Sequence, residues 1–244
     1  MNGSNIEHSL TFYDLKWDTD FFGVKSAKAI LHKPLTKNEW DELKARFNEY
    51  QFISIENRNS EPINAQFIGK DTTAFLADVN VQFSKKLEST EKEIPNNITL
   101  NQKLKRDEQI IDIAKFEYSK FTEDLELAKR GGTELYQQWL SNSFERPDKH
   151  YVLYKDEKGN IIGFLLYSFS NQGCVIELIA VSESANNKGI GTSLVRALES
   201  EAYKKKCTEF RVGTQIRNLG AINFYHKVGC KLVGCHQVFH LWNL

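Results

Sequence analysis

The sequence predicts an α/β fold. Two observations carry that prediction. From Leu15 to about Phe83, strand-like and helix-like segments alternate. Further on, three short β segments joined by tight turns run into an amphipathic helix that opens on Gly-Ile-Gly. Alternating β and α segments are the mark of a sheet covered by helices.

The elements follow in order. Lys37 to Tyr50 places Trp40, Leu43 and Phe47 on one helical face, and Gln51 to Glu56 and Ala74 to Phe83 read as strands. Lys85 to Asn97, KKLESTEKEIPNN, is charged, poor in apolar residues and contains proline, so it reads as a linker. It divides residues 1–90, an N-terminal α/β region, from residues 98–244, a segment of domain size. In the second part Tyr151 to Tyr154, Ile161 to Phe169 and Cys174 to Val181 are strands. Turns at residues 156–160 and 171–173 join them into an antiparallel meander. Ser182 to Lys188 is polar and turn-forming. From Ile190 the apolar residues Ile190, Leu194, Val195, Leu198 and Ala202 recur at helical spacing. Glu209 to Gly213 and Val238 to Trp242 are further strands. Between them Asn218 to Gly229 reads as a helix, with Asn218 as N-cap and Gly229 as the residue beyond its C-cap.

Composition narrows the function. The chain has 244 residues, 41% of them hydrophobic, with 32 basic and 32 acidic residues balancing to zero net charge. Zero charge gives no electrostatic case for nucleic acid or an anionic membrane as partner. No apolar run approaches the roughly 20 residues of a membrane-spanning helix. The opening MNGSNIEHSL lacks the basic and apolar regions of a signal peptide, so a cytoplasmic location with reduced thiols is expected. Cys174, Cys207, Cys230 and Cys235 form no CxxC pair, and no metal site is expected.

The chemistry concentrates after the third meander strand. A helix N-terminus leaves N–H groups unpaired and carries partial positive charge. Glycine at Gly189 and Gly191 lets an anion approach that backbone, so the segment suits a phosphate or pyrophosphate. An ordinary strand–loop–helix with glycines for packing is the other reading. The spacing is not that of a dinucleotide fold, whose third glycine is here Leu194, and the GxxxxGK[ST] phosphate loop is absent. Glu177 is the one acid in the third strand and shares a face with Val175, Ile179 and Val181 by alternation. It can take a proton from an amine or pair structurally with a basic side chain. His150, His226, His236 and His240 form no triad in sequence and read as structural or rim residues.

Ile179-Ala180-Val181 followed by Asn186-Asn187-Lys188-Gly189-Ile190-Gly191 resembles the signature of the GCN5-related N-acetyltransferase (GNAT) family, [QR]-x-x-G-x-[GA] after a strand. Asn186 departs from it, and Lys188 can supply charge instead. The segment NLGAINFYHKVG is similar to a second family motif through Asn218, Ala221, Tyr225 and Gly229. The resemblance implies a GNAT acyl-CoA N-acyltransferase fold and acetyl-CoA as co-substrate. It implies that Asn186, Lys188, Gly189, Ile190, Gly191, Thr192 and Asn218 line the CoA side. Backbone N–H groups of Ile179 or Val181 would polarise the thioester carbonyl. Tyr225 would protonate the departing thiolate, and Glu177 would serve as proton acceptor. N-capping by Asn218 and packing by Tyr225 are the plainer readings of the same residues.

Two more segments are similar to the dTDP-fucosamine acetyltransferase group within that family. One is Leu15 to Gly23, LKWDTDFFG; the other runs from Tyr118 to Asp124 and from Leu135 to Ser143, LYQQWLSNS. They imply a small-molecule amine acceptor, a dTDP-linked amino-dideoxy sugar, with residues 1–90 on the acceptor side. The plain reading of WDTDFFG is an aromatic-rich strand and turn. An acetyltransferase for another amine (antibiotic, polyamine or peptide N-terminus) and a non-catalytic CoA-binding module stay open, and a homodimer is possible.

Overall fold

The structure is a computed structural model, and it describes residues 9–88, 94–116, 118–170 and 173–244. In chain order its elements are β1 (Leu10–Asp14), α1 (Lys16–Phe22), β2 (Ser26–Leu31), α2 (Lys37–Phe47), β3 (Phe52–Asn57), α3 (Pro62–Asp71), β4 (Phe75–Lys86), β5 (Ile98–Gln102), α4 (Glu108–Ile113), α5 (Lys120–Glu123), α6 (Leu125–Ala128), α7 (Leu135–Ser141), β6 (His150–Lys155), β7 (Ile161–Phe169), β8 (Gly173–Val181), α8 (Ile190–Lys204), β9 (Glu209–Gln215), α9 (Leu219–Lys227) and β10 (Lys231–Trp242). The first eight residues of the opening segment, the middle of the expected linker (89–93) and residues 171–172 of the second expected turn lie outside the described residues. No helix among the described residues is long and apolar enough to cross a membrane.

The chain forms two compact units that do not follow it in one pass. Unit 1 comprises residues 1–81, 118–133 and 234–244; unit 2 comprises residues 82–117 and 134–233. Sequence divides the chain once, near residue 90. The structure returns it to unit 1 twice, over residues 118–133 and 234–244, the second time through the pairing of β10 with β3 over Gln237–Trp242 and Asn57–Phe52. Strands β4 and β10 each run across a unit boundary.

In unit 1, β1 pairs antiparallel with β2, β2 parallel with β3, and β3 antiparallel with β10. Alternation sends Ala27, Ala29 and Leu31 of β2, Ile53 and Ile55 of β3, and Phe239 and Leu241 of β10 to one face. There they pack on Trp40, Leu43 and Phe47 of α2 and Ile68 of α3. Full burial of each such large side chain is worth about 1.5–3 kcal/mol, which is why the apolar stripe of α2 is legible in sequence. Thr36 starts that helix with a reciprocal capping box to Glu39. The segment WDTDFFG is not strand and turn: it is α1, closed by Gly23 at φ +68°. That left-handed residue ends the helix, and β2 begins three residues later.

In unit 2 the strand order is β4-β9-β8-β7-β6-β5. Strands β5 to β8 pair antiparallel in succession, so the meander read from sequence is present with β5 added at its edge. Helices α4 and α7 cover one face through Ile110, Ile111 and Leu140 against Tyr151, Leu153, Phe164, Leu166 and Leu178. Helix α8 packs on β6, β7 and β8. A Cβ on Gly163 would fall 2.9 Å from the Ile190 side chain, so glycine there sets how closely α8 seats on β7.

Candidate active site

The site assembles in unit 2, where β8 leaves its neighbour. Strand β8 pairs in parallel with β9 only from Gly173–Ile176 against Glu209–Val212. Beyond that point β8 continues to Val181 and β9 to Gln215 without pairing to each other. The register between β7 and β8 also shifts there: Leu166 faces Leu178 while Tyr167 faces Ile176, which leaves Glu177 as the extra residue of a β-bulge. The last residues of β8, Ile179 and Val181 among them, therefore present one backbone edge outward. That edge can donate N–H groups to a carbonyl oxygen.

Gly189 stands at the mouth of α8. It adopts φ +78° and caps the helix without a side-chain hydrogen bond. The first N–H of α8 to bond inside the helix is that of Ser193, to the Gly189 carbonyl at 3.1 Å. The N–H groups of Ile190, Gly191 and Thr192 precede it and are open donors. A Cβ on Gly189 would meet nothing within 4 Å, so the approach to these donors is clear. The two glycines do different work. A Cβ on Gly191 would lie 3.1 Å and 3.3 Å from ring atoms of Phe224, so the missing side chain at Gly191 lets α9 pack against α8 while its N–H stays among the open donors. Asn186 and Lys188 are exposed on the loop before Gly189.

Helix α9 behaves as its sequence suggests. The Asn218 side chain accepts the Ala221 N–H at 3.0 Å, and Gly229 follows the helix at φ +89°. Tyr225 on α9 is 4% exposed, its ring packed against Phe83 at 5.5 Å and Phe224 at 5.3 Å. Burial holds its phenol well above the ordinary range, so it keeps its proton at any working pH.

Glu177 is half-buried and both its oxygens receive the Lys149 ammonium, at 2.5 Å and 2.7 Å. A carboxylate so engaged still has lone pairs to accept a proton. Glu177→Gln is expected to slow turnover most at low pH, where a base is scarcest, and least at high pH, where the amine is already neutral. A pH–rate profile matching the wild type would leave Glu177 as the structural partner of Lys149.

A cavity of about 390 Å³ lies beside the first turn of α8, lined by Thr192, Ser193 and Arg196 together with Lys85, Pro95 and Lys227. Lys85 is held by Glu199 at 2.5 Å and by the Val228 carbonyl at 2.8 Å.

The acetyltransferase (GNAT) family model matches residues 108–230. The chain belongs to the GNAT family. Among curated relatives it is 26% identical over 137 residues to the spore coat polysaccharide biosynthesis protein SpsD of Bacillus subtilis, covering 55% of this chain and 47% of SpsD. It is 36% identical over 74 residues to the uncharacterized protein YdhI of the same organism, covering 30% of this chain and 45% of YdhI. The chain thus spans about half the length of the curated relatives it matches. Among solved structures, a GCN5-related N-acetyltransferase from Sphaerobacter thermophilus superposes with a TM-score of 0.63 at 13% identity, over 96% of this chain and 76% of that one. That likeness concerns the fold.

GNAT proteins generally use acetyl-CoA, and the residues here fit such a ligand. Open helix donors, an unobstructed Gly189 and a cavity edged by Arg196 and Lys227, with Lys85 paired to Glu199 in its wall, suit a molecule with several phosphates. Sequence reasoning missed Lys149, Arg196 and Lys227. A lone basic residue on a strand end or an exposed helix face carries no local signal that distinguishes it from a solvated charge.

Proposed function

We propose that this GNAT protein transfers the acetyl group of acetyl-CoA to the primary amine of a small molecule, a dTDP-linked amino-dideoxy sugar. The divergence of β8 from β9 after Ile176, on the chain segment that leads to the left-handed Gly189, supports the transfer most strongly. It sets an exposed strand edge and an anion-suited helix start on one stretch of chain.

The bound thioester would supply an activated acetyl carbon. The chain's own residues do the rest. N–H groups of Ile179 or Val181 stabilise charge on the carbonyl oxygen. Ile190, Gly191 and Thr192 hold phosphate through their backbone, with Asn186, Lys188 and Asn218 beside them. Glu177 takes the amine proton, and Tyr225 gives its own to the leaving sulfur. The amine is itself the nucleophile, so no covalent enzyme intermediate is required. A reducing cytoplasm suits the reading, since all four cysteines are free.

The sugar acceptor rests on less. SpsD is named for polysaccharide biosynthesis, and the LKWDTDFFG and LYQQWLSNS segments resemble a sugar-acetylating group. Trp17 is 37% exposed and stacks on Phe21 at 4.9 Å, and Trp139 is 53% exposed. Exposed indole faces suit a sugar or a thymine ring. Trp17→Ala and Trp139→Ala are each expected to raise the acceptor KM at least several-fold with acetyl-CoA affinity unchanged. Kinetics with a dTDP-4-amino sugar, after a heat-stability check, read this out. Unchanged kinetics in both folded variants would make the rings scaffold. Acetylation of polyamines or aminoglycosides, but of no dTDP-amino sugar, would shift the reading to a different amine.

A further inference from the structure

Lys149 and Glu177 meet across three strands of unit 2. His150, Tyr167 and Ile176 form one row over β6, β7 and β8. Lys149 precedes the first residue of that row, and Glu177 follows the last. Neighbouring strands lie about 4.8 Å apart, so the two backbones are about 10 Å distant. A lysine stem and a glutamate side chain together span that gap. They close it fully: Lys149 Nζ lies 2.5 Å and 2.7 Å from the two carboxylate oxygens. The side chains are 16% and 26% exposed, so the pair is half-buried.

Asp148 is a second anion near that ammonium, with its Oδ2 3.8 Å away. Arg146 holds Asp148 with two hydrogen bonds, at 3.0 Å and 2.8 Å. Lys149 is therefore committed to Glu177 by geometry. Ile176 is the last residue of β8 paired to β9. Glu177 is thus the first residue of the stretch where β8 stands open, two residues before Ile179.

Proton removal sets a demand on this place. A base that takes a proton directly from the acceptor needs the acceptor nitrogen about 2.6–3.2 Å from one of its oxygens. In the structure a nitrogen already sits at that range, and it is Lys149 Nζ. It is a primary amine, the group on which the transfer acts. Its unbranched four-carbon stem lets it swing between the carboxylate and an acetyl carbon. Exposure alone would not single it out. The side chains of Lys37 and Lys129 are 57% and 69% exposed, and acetyl-CoA free in solution would reach those first.

We propose that Lys149 is a self-acetylation site: without acceptor, its ε-amine takes the acceptor's place beside Glu177 and receives the acetyl group of acetyl-CoA bound to the same chain. This rests on the reading that the site transfers acetyl from acetyl-CoA with Glu177 as base, and it adds a substrate within the protein itself. Glu177 removes one proton from the Nζ ammonium and releases it to solvent. The freed lone pair forms the N–C bond at the thioester carbonyl carbon. The C–S bond then breaks, and the sulfur leaves with its electron pair and takes a proton from Tyr225. The nitrogen loses a second proton as the amide forms, which restores Tyr225 through solvent. The products are acetyl-lysine, the CoA thiol and one proton. The modified nitrogen carries no charge, so its ion pair with Glu177 is lost.

The test incubates the full chain with acetyl-CoA alone and follows individual lysines by peptide mass spectrometry. Lys149 is expected to gain an acetyl group at least about tenfold faster than Lys37 or Lys129, the advantage of a nucleophile held in place. The rate per molecule should not change with protein concentration. Glu177→Gln should slow Lys149 at least about tenfold and leave Lys37 and Lys129 at their wild-type rates. Lys149→Arg keeps the cation and removes the acceptor, so labelled acetyl should enter it only as fast as it enters exposed lysines. A Lys149 that stays unmodified, or that reacts no faster than exposed lysines or no slower in folded Glu177→Gln, would overturn the proposal. So would a rate that rises with protein concentration, which marks acetylation by a second copy, or undiminished labelling of Lys149→Arg. A panel of small amines, read by release of the CoA thiol, judges the other reading separately. Amine turnover with Lys149 unmodified leaves acetyl transfer standing and removes self-acetylation. Lys149 modified with no amine turned over does the reverse and leaves the chain as its own substrate.

Discussion

Replacing Gly189 by valine is expected to weaken acetyl-CoA binding at least about a hundredfold in a protein that still folds, a loss of about 2.7 kcal/mol. Two features of this residue set that result. Its φ of +78° lies where a β-branched residue is strained, at a cost of about 1–3 kcal/mol. A Cβ there meets no protein atom within 4 Å, so nothing in the interior is displaced. The isopropyl group projects instead into the open approach to the N–H groups of Ile190, Gly191 and Thr192. Gly189→Asn is the control, since asparagine tolerates the left-handed region and tests the backbone with less bulk. Titration calorimetry with acetyl-CoA, with Tm measured alongside, decides the matter. Wild-type affinity in folded Gly189→Val would remove the start of α8 from the CoA site.

Tyr225→Phe is expected to lower kcat about 10²–10⁴-fold with little change in either KM. The substitution removes one oxygen and keeps the ring between Phe83 and Phe224, so stability should barely move. The same burial that holds the phenol proton would desolvate a thiolate formed next to it and raise that group's proton affinity too. Donor and acceptor are then shifted in the same direction, and the transfer is not forced uphill. An acid that never titrates below the alkaline range also leaves the rate free of a neutral-pH limb from Tyr225. A folded Tyr225→Phe enzyme with unchanged kcat would leave the residue as packing alone.

What sequence made legible was local. The spacing of Ile190, Leu194, Val195, Leu198 and Ala202 marks the buried face of α8, and all five are buried. Asn218 and Gly229 mark the ends of α9 because caps are chosen by one residue's hydrogen bond or its tolerance of positive φ. The strand Ile161–Phe169 agrees to the residue. What stayed hidden depends on partners far away in the chain. Helix α1 looked like a strand and turn because its aromatic run gives no clear period, and only Phe22 of it is buried. The packing of Phe224 against Gly191 depends on how α9 seats on α8, which the Gly-Ile-Gly spacing does not report. The His240–Asp124 pair joins residues 116 positions apart, which no spacing rule reports.

The pairing of β3 with the last strand sets the order in which this chain can mature. As synthesis proceeds, Ile53 and Ile55 are made early and wait for Leu241 and Phe239, their register partners, to be made after all of unit 2. All of residues 82–117 and 134–233 intervene, so unit 2 has every residue it needs before unit 1 does. Until then one edge of β3 lacks its final neighbour and exposes unpaired backbone. A nascent chain stalled short of residue 234 should thus hold a protease-resistant unit 2 beside a first unit that is still digestible, and loss of the last ten residues should injure the N-terminal sheet before it injures the nearer helices.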